Sequence, residues 1–247
     1  MASVWAIGDI HGEGFKLSTL LDFLPRGEND YTVFLGDYID RGASSAEVVR
    51  RVLVEQDTAP VRTVLLWGNH EDMAASYFNI PSPTETEIEY DPYDWFRNGG
   101  LIAMESWGLK PPEMFDAPCP ADLTCLFAVL RPFFRGNETG IPGMEPYLFV
   151  HAGILPTEEP EAATGERLLW VREEFLQSYN PSGRIVVHGH TPFEKVRVHP
   201  DKIGIDTGAV RGGPLTALRL PERTLYQVDG TGRVTVSPLP EFPTGAV

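Results

Sequence analysis

Five short apolar runs rich in β-branched residues, each ending in a cluster of glycine and polar residues, constrain this chain most. Val4 to Ile7 leads into Gly8-Asp9-Ile10-His11-Gly12, and Tyr31 to Leu35 leads into Gly36-Asp37-Tyr38-Ile39-Asp40-Arg41-Gly42. Val61 to Trp67 leads into Gly68-Asn69-His70-Glu71. Tyr147 to Val150 leads into His151-Ala152-Gly153, and Arg184 to Val187 into His188-Gly189-His190-Thr191. Near-continuous apolar runs of this length suit strands buried on both faces. Between the early runs, Phe15 to Leu24 and Ser44 to Gln56 carry apolar residues at helical spacing, with Ser44 or Ser45 as N-cap. Strand, loop and helix in alternation predict an α/β layered sheet with ligands at the carboxyl ends of its strands. All five polar clusters fall at such ends.

A chain of 247 residues, 42% hydrophobic, supports one sizeable core, and motifs spread along its length predict one domain over 1–247. Residues 73–145 read differently. Pro81 to Pro92 is acidic and Pro-containing, while Asp94 to Trp107 and Ala121 to Phe134 have a helical pattern, which predicts a helical insertion over one side of the site. From Ile203 onward, Leu215 to Leu220, Thr224 to Val228 and Val234 to Val236 predict an antiparallel meander extending the sheet, with Leu239 to Val247 as a loose tail.

The net charge of −15, without any dense run of Lys and Arg, argues against a nucleic-acid polymer as partner. Cys119 and Cys125 are too few for a disulfide framework and lack the spacing of a structural zinc site, so they read as thiols. No apolar run has the length to span a bilayer, and Met1 to Ile7 lacks a basic segment followed by an apolar signal core. A soluble cytoplasmic protein with no membrane partner is expected.

Asp9, His11, Asp37, Asn69, His151 and His190 offer oxygen and imidazole donors with no thiolate among them. That mixture suits Mn²⁺, Fe or Zn²⁺ better than an all-oxygen Ca²⁺ cage. Two ions close together need a bridging ligand, which a carboxylate can supply, and together they polarise a phosphoryl group and acidify a bridging water.

The ordered set Asp9-x-His11, Gly36-Asp37-x-x-Asp40-Arg41-Gly42 and Gly68-Asn69-His70-Glu71 has 24 and 25 residues between consecutive motifs. His151-Ala152-Gly153 and Gly189-His190-Thr191 follow in order. This set resembles the phosphoprotein phosphatase family of calcineurin-like metallophosphoesterases, from Gly8 to roughly Gly213. The resemblance implies a layered β-sandwich flanked by helices and two divalent metal ions, Mn²⁺ first, with Fe or Zn²⁺ as alternatives. It also implies that Asp9 and His11 bind the first metal, that Asp37 bridges both, and that Asn69, His151 and His190 bind the second. His70 would be the general acid, oriented by Asp40, and Arg41, Arg172 and Asn69 would hold the phosphate. A metal-bridging hydroxide would attack directly, without a phosphoenzyme.

Plainer roles compete with several of these. Asp40 could cap the following helix, and Arg172 could pair with a neighbouring Glu. His188, which in an extended strand would point to the same side as His190, reads as packing or support for the site. Asp206 reads as a turn former through its side chain, and Trp170 as packing.

Within the family, symmetrical diadenosine tetraphosphate hydrolases typically have Ala at the Asp40 position and Asp at the Glu71 position, so this chain follows the protein-phosphatase form. Trp67 stands where eukaryotic serine/threonine phosphatases place arginine, and Asn98-Gly99-Gly100 resembles bacterial or phage-type members. The leading expectation is a bacterial-type serine/threonine phosphoprotein phosphatase acting on a phosphoprotein or small phosphoester. The alternatives are a dinucleoside polyphosphate or nucleotide hydrolase and a non-catalytic phosphate-binding scaffold.

Overall fold

A computed structural model describes residues 2–82, 88–91 and 93–242. Its first half alternates as the apolar runs predict: β1 (Val4–Ile7), α1 (Gly14–Phe23), β2 (Tyr31–Phe34), α2 (Ser45–Thr58), β3 (Thr63–Leu65) and α3 (Asn69–Tyr77). Short helices α4 (Leu101–Ser106) and α5 (Ala121–Val129) follow, then β4 (Phe133–Arg135) and β5 (Tyr147–Val150). Helices α6 (Gly165–Trp170) and α7 (Glu173–Gln177) precede β6 (Ile185–His188), β7 (Arg197–His199) and β8 (Lys202–Gly204). The chain continues through β9 (Leu215–Leu220), β10 (Thr224–Val228) and β11 (Val234–Pro238).

The strands form two sheets, ordered β11-β10-β9-β1-β2-β3 and β4-β5-β6-β8-β7. β1, β2 and β3 run parallel, as do β5, β6 and β8, while the β9–β11 meander joins β1 antiparallel. The period of two explains why the runs are apolar throughout. Val4, Ala6, Val33, Leu35, Val64 and Leu66 face Phe149, Val187 and Ile203 across the space between the sheets. Trp5, Ile7, Phe34 and Leu65 face outward to Leu17, Leu20, Val48 and Val52 of α1 and α2. Each such side chain contributes about 1.5–3 kcal/mol on full burial. A helix layer thus covers a sandwich, and the carboxyl ends of β1, β2, β3, β5 and β6 converge.

Several boundaries differ from expectation. Val61 and Arg62 lie in a turn, so β3 is shorter, and β6 starts at Ile185. Ser44 occupies the N-cap position of α2 without a side-chain capping bond, and the Ser45 hydroxyl instead accepts from the Asp40 amide at 3.0 Å. The helix expected over Asp94 to Trp107 is interrupted: the turn of residues 96–100 is kinked at Gly99, which adopts φ 117°, and only Leu101–Ser106 is a regular α-helix. The helix expected to Phe134 stops at Val129, because Phe133–Arg135 pairs with β5 as an antiparallel strand. In the acidic Pro81 to Pro92 segment, residues 83–87 and 92 lie outside the described residues, as do 243–247 of the tail. Among the described residues, no helix is long and apolar enough to cross a membrane.

Candidate metal centre

The strand-end loops bring most of the candidate side chains into one buried constellation. His11, Asp37, Asp40 and His190 all have positive φ, between 47° and 74°. Residues that leave a strand in this conformation break its alternation, which lets consecutive loop side chains aim at one point. His190 therefore turns toward Asn69, whereas His188, still in β6, packs its ring 5.0 Å from Phe175. The two histidines do not share a side. Close approach also needs glycine: a Cβ on Gly68 would lie 2.2 Å from Asp37 Oδ1, and one on Gly189 would lie 1.9 Å from Asp9 Oδ1.

Two groupings of ligand-type atoms share Asp37: His11, Asp37 and His70, and Asp37, His151 and His190. His11 Nδ1 lies 2.9 Å from the Ile39 carbonyl, and His151 Nδ1 lies 2.7 Å from the Leu35 carbonyl. A carbonyl only accepts, so both imidazoles donate from Nδ1 and, when neutral, present a lone pair at Nε2. Those lone pairs face the Asp37 carboxylate, His11 Nε2 at 3.3 Å from Oδ2 and His151 Nε2 at 3.4 Å from Oδ1. Asn69 Oδ1 lies 3.0 Å from His151 Nε2 and 2.9 Å from His190 Nδ1. The Arg41 guanidinium stands as the donor at His11 Nε2. His151 Nε2, Asn69 Oδ1 and Asp37 Oδ1 thus meet as acceptors in a buried space, an arrangement that a cation among them would stabilise. This fits a divalent ion.

Burial lowers the imidazoles, His11 to about 3 and His151 below its usual range, so both stay neutral and ligand-ready. His190 is also lowered by burial, with His151 and Arg172 adding to the effect. Burial acts to raise Asp37, and the imidazoles of His151, His70, His11 and His190 oppose that shift only when they carry a second proton. Asp9 accepts from the His190 amide at 2.9 Å and is pushed up by burial and by the nearby Asp206 and Asp37 carboxylates. A cation would relieve that repulsion.

His70 Nδ1 lies 2.5 Å from Asp40 Oδ2, and its Nε2 is buried without a partner. Burial drives His70 down to about 4 and Asp40 up. Asp40 does not cap α2, since its carboxylate is engaged by His70 and by the Trp95 indole. Arg41 Nη1 is 2.6 Å from His11 Nε2, at the cluster itself. Arg172, between α6 and α7, donates to the His190 carbonyl at 3.1 Å and to Thr191 Oγ1 at 3.3 Å, with no Glu as partner among these bonds. Asp206 accepts from the Gly208 amide at 2.9 Å, forming the expected turn, and burial raises it to about 6.

Two residues of the site escaped the sequence reading. Glu71 is fully buried and accepts from the amides of Asp37 (2.8 Å), Tyr38 (2.9 Å), Ile39 (3.3 Å) and Gly68 (3.1 Å). It ties the loop after β2 to the loop after β3, and its place in the Gly68-Asn69-His70-Glu71 motif was the available signal. Trp95, which donates to Asp40, carried no signal beyond its bulk.

A helix-covered double sheet with carboxylates and imidazoles converging at parallel strand ends defines a metal-dependent hydrolase of phosphoric esters. The chain belongs to the calcineurin-like phosphoesterase family, whose model matches residues 2–212. It is 30% identical to an asymmetrical bis(5'-nucleosyl)-tetraphosphatase, PrpE, of Anoxybacillus flavithermus, over 91% of this chain and 93% of that protein. It is 29% identical to serine/threonine-protein phosphatase 2 of Escherichia coli, over 88% of this chain and 92% of that one. A solved cold-active protein tyrosine phosphatase shares the fold at 18% identity, with a TM-score of 0.59 over 95% of this chain and 78% of that chain.

Proposed function

We propose that the chain hydrolyses dinucleoside polyphosphates, using two divalent ions held at the Asp37 cluster. The observation that carries the metal-dependent reading is the pair of imidazole lone pairs facing the two oxygens of Asp37. Asp9, His11 and Asp37 would hold one ion, and Asp37, Asn69, His151 and His190 the other. The nitrogen and oxygen donor set, without thiolate, favours Mn²⁺, with Fe or Zn²⁺ also accommodated. Such ions supply Lewis acidity toward the phosphoryl group and an activated water.

The chain's own residues do the rest. Arg41 and Arg172 offer guanidinium forks to phosphate oxygens, and Asn69 stands beside them. In its protonated form His70 would carry a proton at Nε2, the unpartnered nitrogen, for the leaving oxygen, and the Asp40 carboxylate, accepting from Nδ1, would favour that form against the effect of burial. Residues 1–247 act as one metallophosphoesterase domain, with the helices of 73–145 as its insertion. The polyphosphate substrate is supported by the similarity to the bis(5'-nucleosyl)-tetraphosphatase along nearly the whole chain.

One observation favours a second reading, a serine/threonine phosphomonoesterase. An alkoxide leaves far less readily than a nucleotide phosphate, so the Asp40–His70 pair is most useful against phosphomonoesters. The test is Mn²⁺-dependent turnover of diadenosine tetraphosphate beside a phosphothreonine peptide. Faster release of nucleotide from diadenosine tetraphosphate, as ATP and AMP or as ADP, supports the first reading, faster release of phosphate from the peptide replaces it with the second, and turnover of neither overturns both.

A further inference from the structure

Asp40 is the least exposed carboxylate that the proposed chemistry uses, at 0%. A buried carboxylate needs donors on both oxygens, or it rotates and loses its aim. His70 reaches one oxygen. The second partner comes from outside the strand-end loops: Trp95 Nε1 lies 2.9 Å from Asp40 Oδ1 and 3.0 Å from Oδ2. The indole donates into the fork between the two oxygens.

The ring is itself held tightly. It lies 5.4 Å from each of Tyr77, Phe78 and Phe96, centroid to centroid. A Cβ on Gly100 would come within 2.6 Å of the indole, so the turn of residues 96–100 wraps the ring closely. The same turn presses on the catalytic loop, because a Cβ on Gly99 would lie 2.5 Å from the Arg41 amide nitrogen.

We propose that Trp95 is a positioning residue for proton delivery: its indole N–H grips Asp40 by both oxygens, so that His70 presents Nε2 to the leaving group in a fixed orientation. The stretch between β3 and β4 is thereby coupled to chemistry through one hydrogen-bonded relay, Trp95 to Asp40 to His70. This rests on the reading of His70 as the proton donor. The indole bonds to Asp40, which is outside the proposed ligand set, so its loss should leave the metal content at wild-type level.

The experiment compares the Mn²⁺-loaded enzyme with a form carrying 3-benzothienylalanine at position 95, which keeps the bicyclic shape and removes the N–H. Trp95→Phe serves as a second variant, and His70→Asn as the control. The readout is the ratio of kcat on phenyl phosphate to kcat on p-nitrophenyl phosphate, since the more basic phenolate depends more on proton delivery. The ratio is expected to fall about tenfold in the benzothienyl form, with KM little moved, and further in His70→Asn. Combined with His70→Asn, the benzothienyl replacement should add nothing, as members of one relay do. A ratio that falls in His70→Asn but not in the benzothienyl form overturns the role of Trp95 alone. A ratio indifferent to His70→Asn overturns the proton-donor reading, and the positioning role with it. A readout independent of turnover is the Trp95 indole ¹H–¹⁵N resonance, expected to move in Asp40→Asn as its acceptor changes from a carboxyl to an amide. An indole resonance that stays in place overturns the proposal.

Discussion

The two clusters that share Asp37 are supported in different ways. On the side of His151 and His190, the supports come from the strand-end loops themselves: the Leu35 carbonyl for His151 and Asn69 for His190. On the side of His11 and His70, the sheet supplies the Ile39 carbonyl, but the Asp40–His70 pair leans on Trp95 from the stretch between β3 and β4. The double sheet is therefore sufficient to build a metal-binding pocket. On the proposed reading, proton delivery requires something added to it.

Replacing the residue common to both sides should have the largest effect. Asp37→Asn removes charge from both clusters, and it should lower kcat by about four orders of magnitude, with fewer than two ions bound per chain by elemental analysis. Two tightly held ions in Asp37→Asn would break the picture of a shared ligand. His70→Asn separates the sides. It should cost about 10²–10⁴-fold in kcat on a substrate with a basic leaving group while the metal content stays at wild-type level. If the ions leave with His70, that side chain belongs with the ligands, and the comparison fails.

A smaller effect, on stability, is expected where the added stretch meets the loop. Gly99 adopts φ 117° with the Arg41 amide nitrogen 2.5 Å from where a Cβ would sit. Gly99→Ala should therefore lower unfolding free energy by about 1–3 kcal/mol, through backbone strain and displacement of the Arg41 loop. Urea unfolding measures it. Metal binding by the His151 and His190 side should persist, and a variant as stable as wild type would mean that the contact yields readily.

These two sides also differ in how far they could be read from sequence. The pocket built by the sheet was accessible because two physical signals coincide there. Val4–Ile7 and its counterparts must be apolar on both faces, between the sheets and beneath α1 and α2, and each run ends where the backbone turns sharply. Glycine and ligand residues are then forced into short adjacent motifs. The added stretch obeys neither constraint. Trp95 sits in an aromatic segment and looks like ordinary core, because its hydrogen-bond partner lies 55 positions away. Asn98-Gly99-Gly100 falls inside a helical pattern, and nothing local shows that Gly99 takes a left-handed conformation against Arg41. The helical pattern of Ala121 to Phe134 runs into the start of β4 because a three-residue strand is too short to display alternation, and its pairing with β5 is a tertiary event. His188 packs, as its sequence context predicts, and it is His190, at φ 62°, that leaves the extended geometry in which the two would share a side.

The smallest expected effect tests whether the added stretch acts through its inner contacts or through its placement as a whole. Besides Trp95 and Gly99 it has an outer attachment, where Arg50 of α2 donates to Asp122 of α5 at 2.8 Å. The Arg50 side chain is 61% exposed, so solvent screens the pair, and Arg50→Ala should change unfolding free energy by less than about 1 kcal/mol. Asp122 keeps its bond from the Trp107 indole at 2.7 Å, so α5 does not lose its anchor. The phenyl to p-nitrophenyl phosphate ratio should match wild type, because no link of the relay from Trp95 to His70 passes through α5. A shifted ratio in Arg50→Ala would mean that the seating of the whole stretch, rather than one indole N–H, sets the aim of His70. The contrast between a self-sufficient pocket and a locally propped proton donor would then have to be redrawn around the helices.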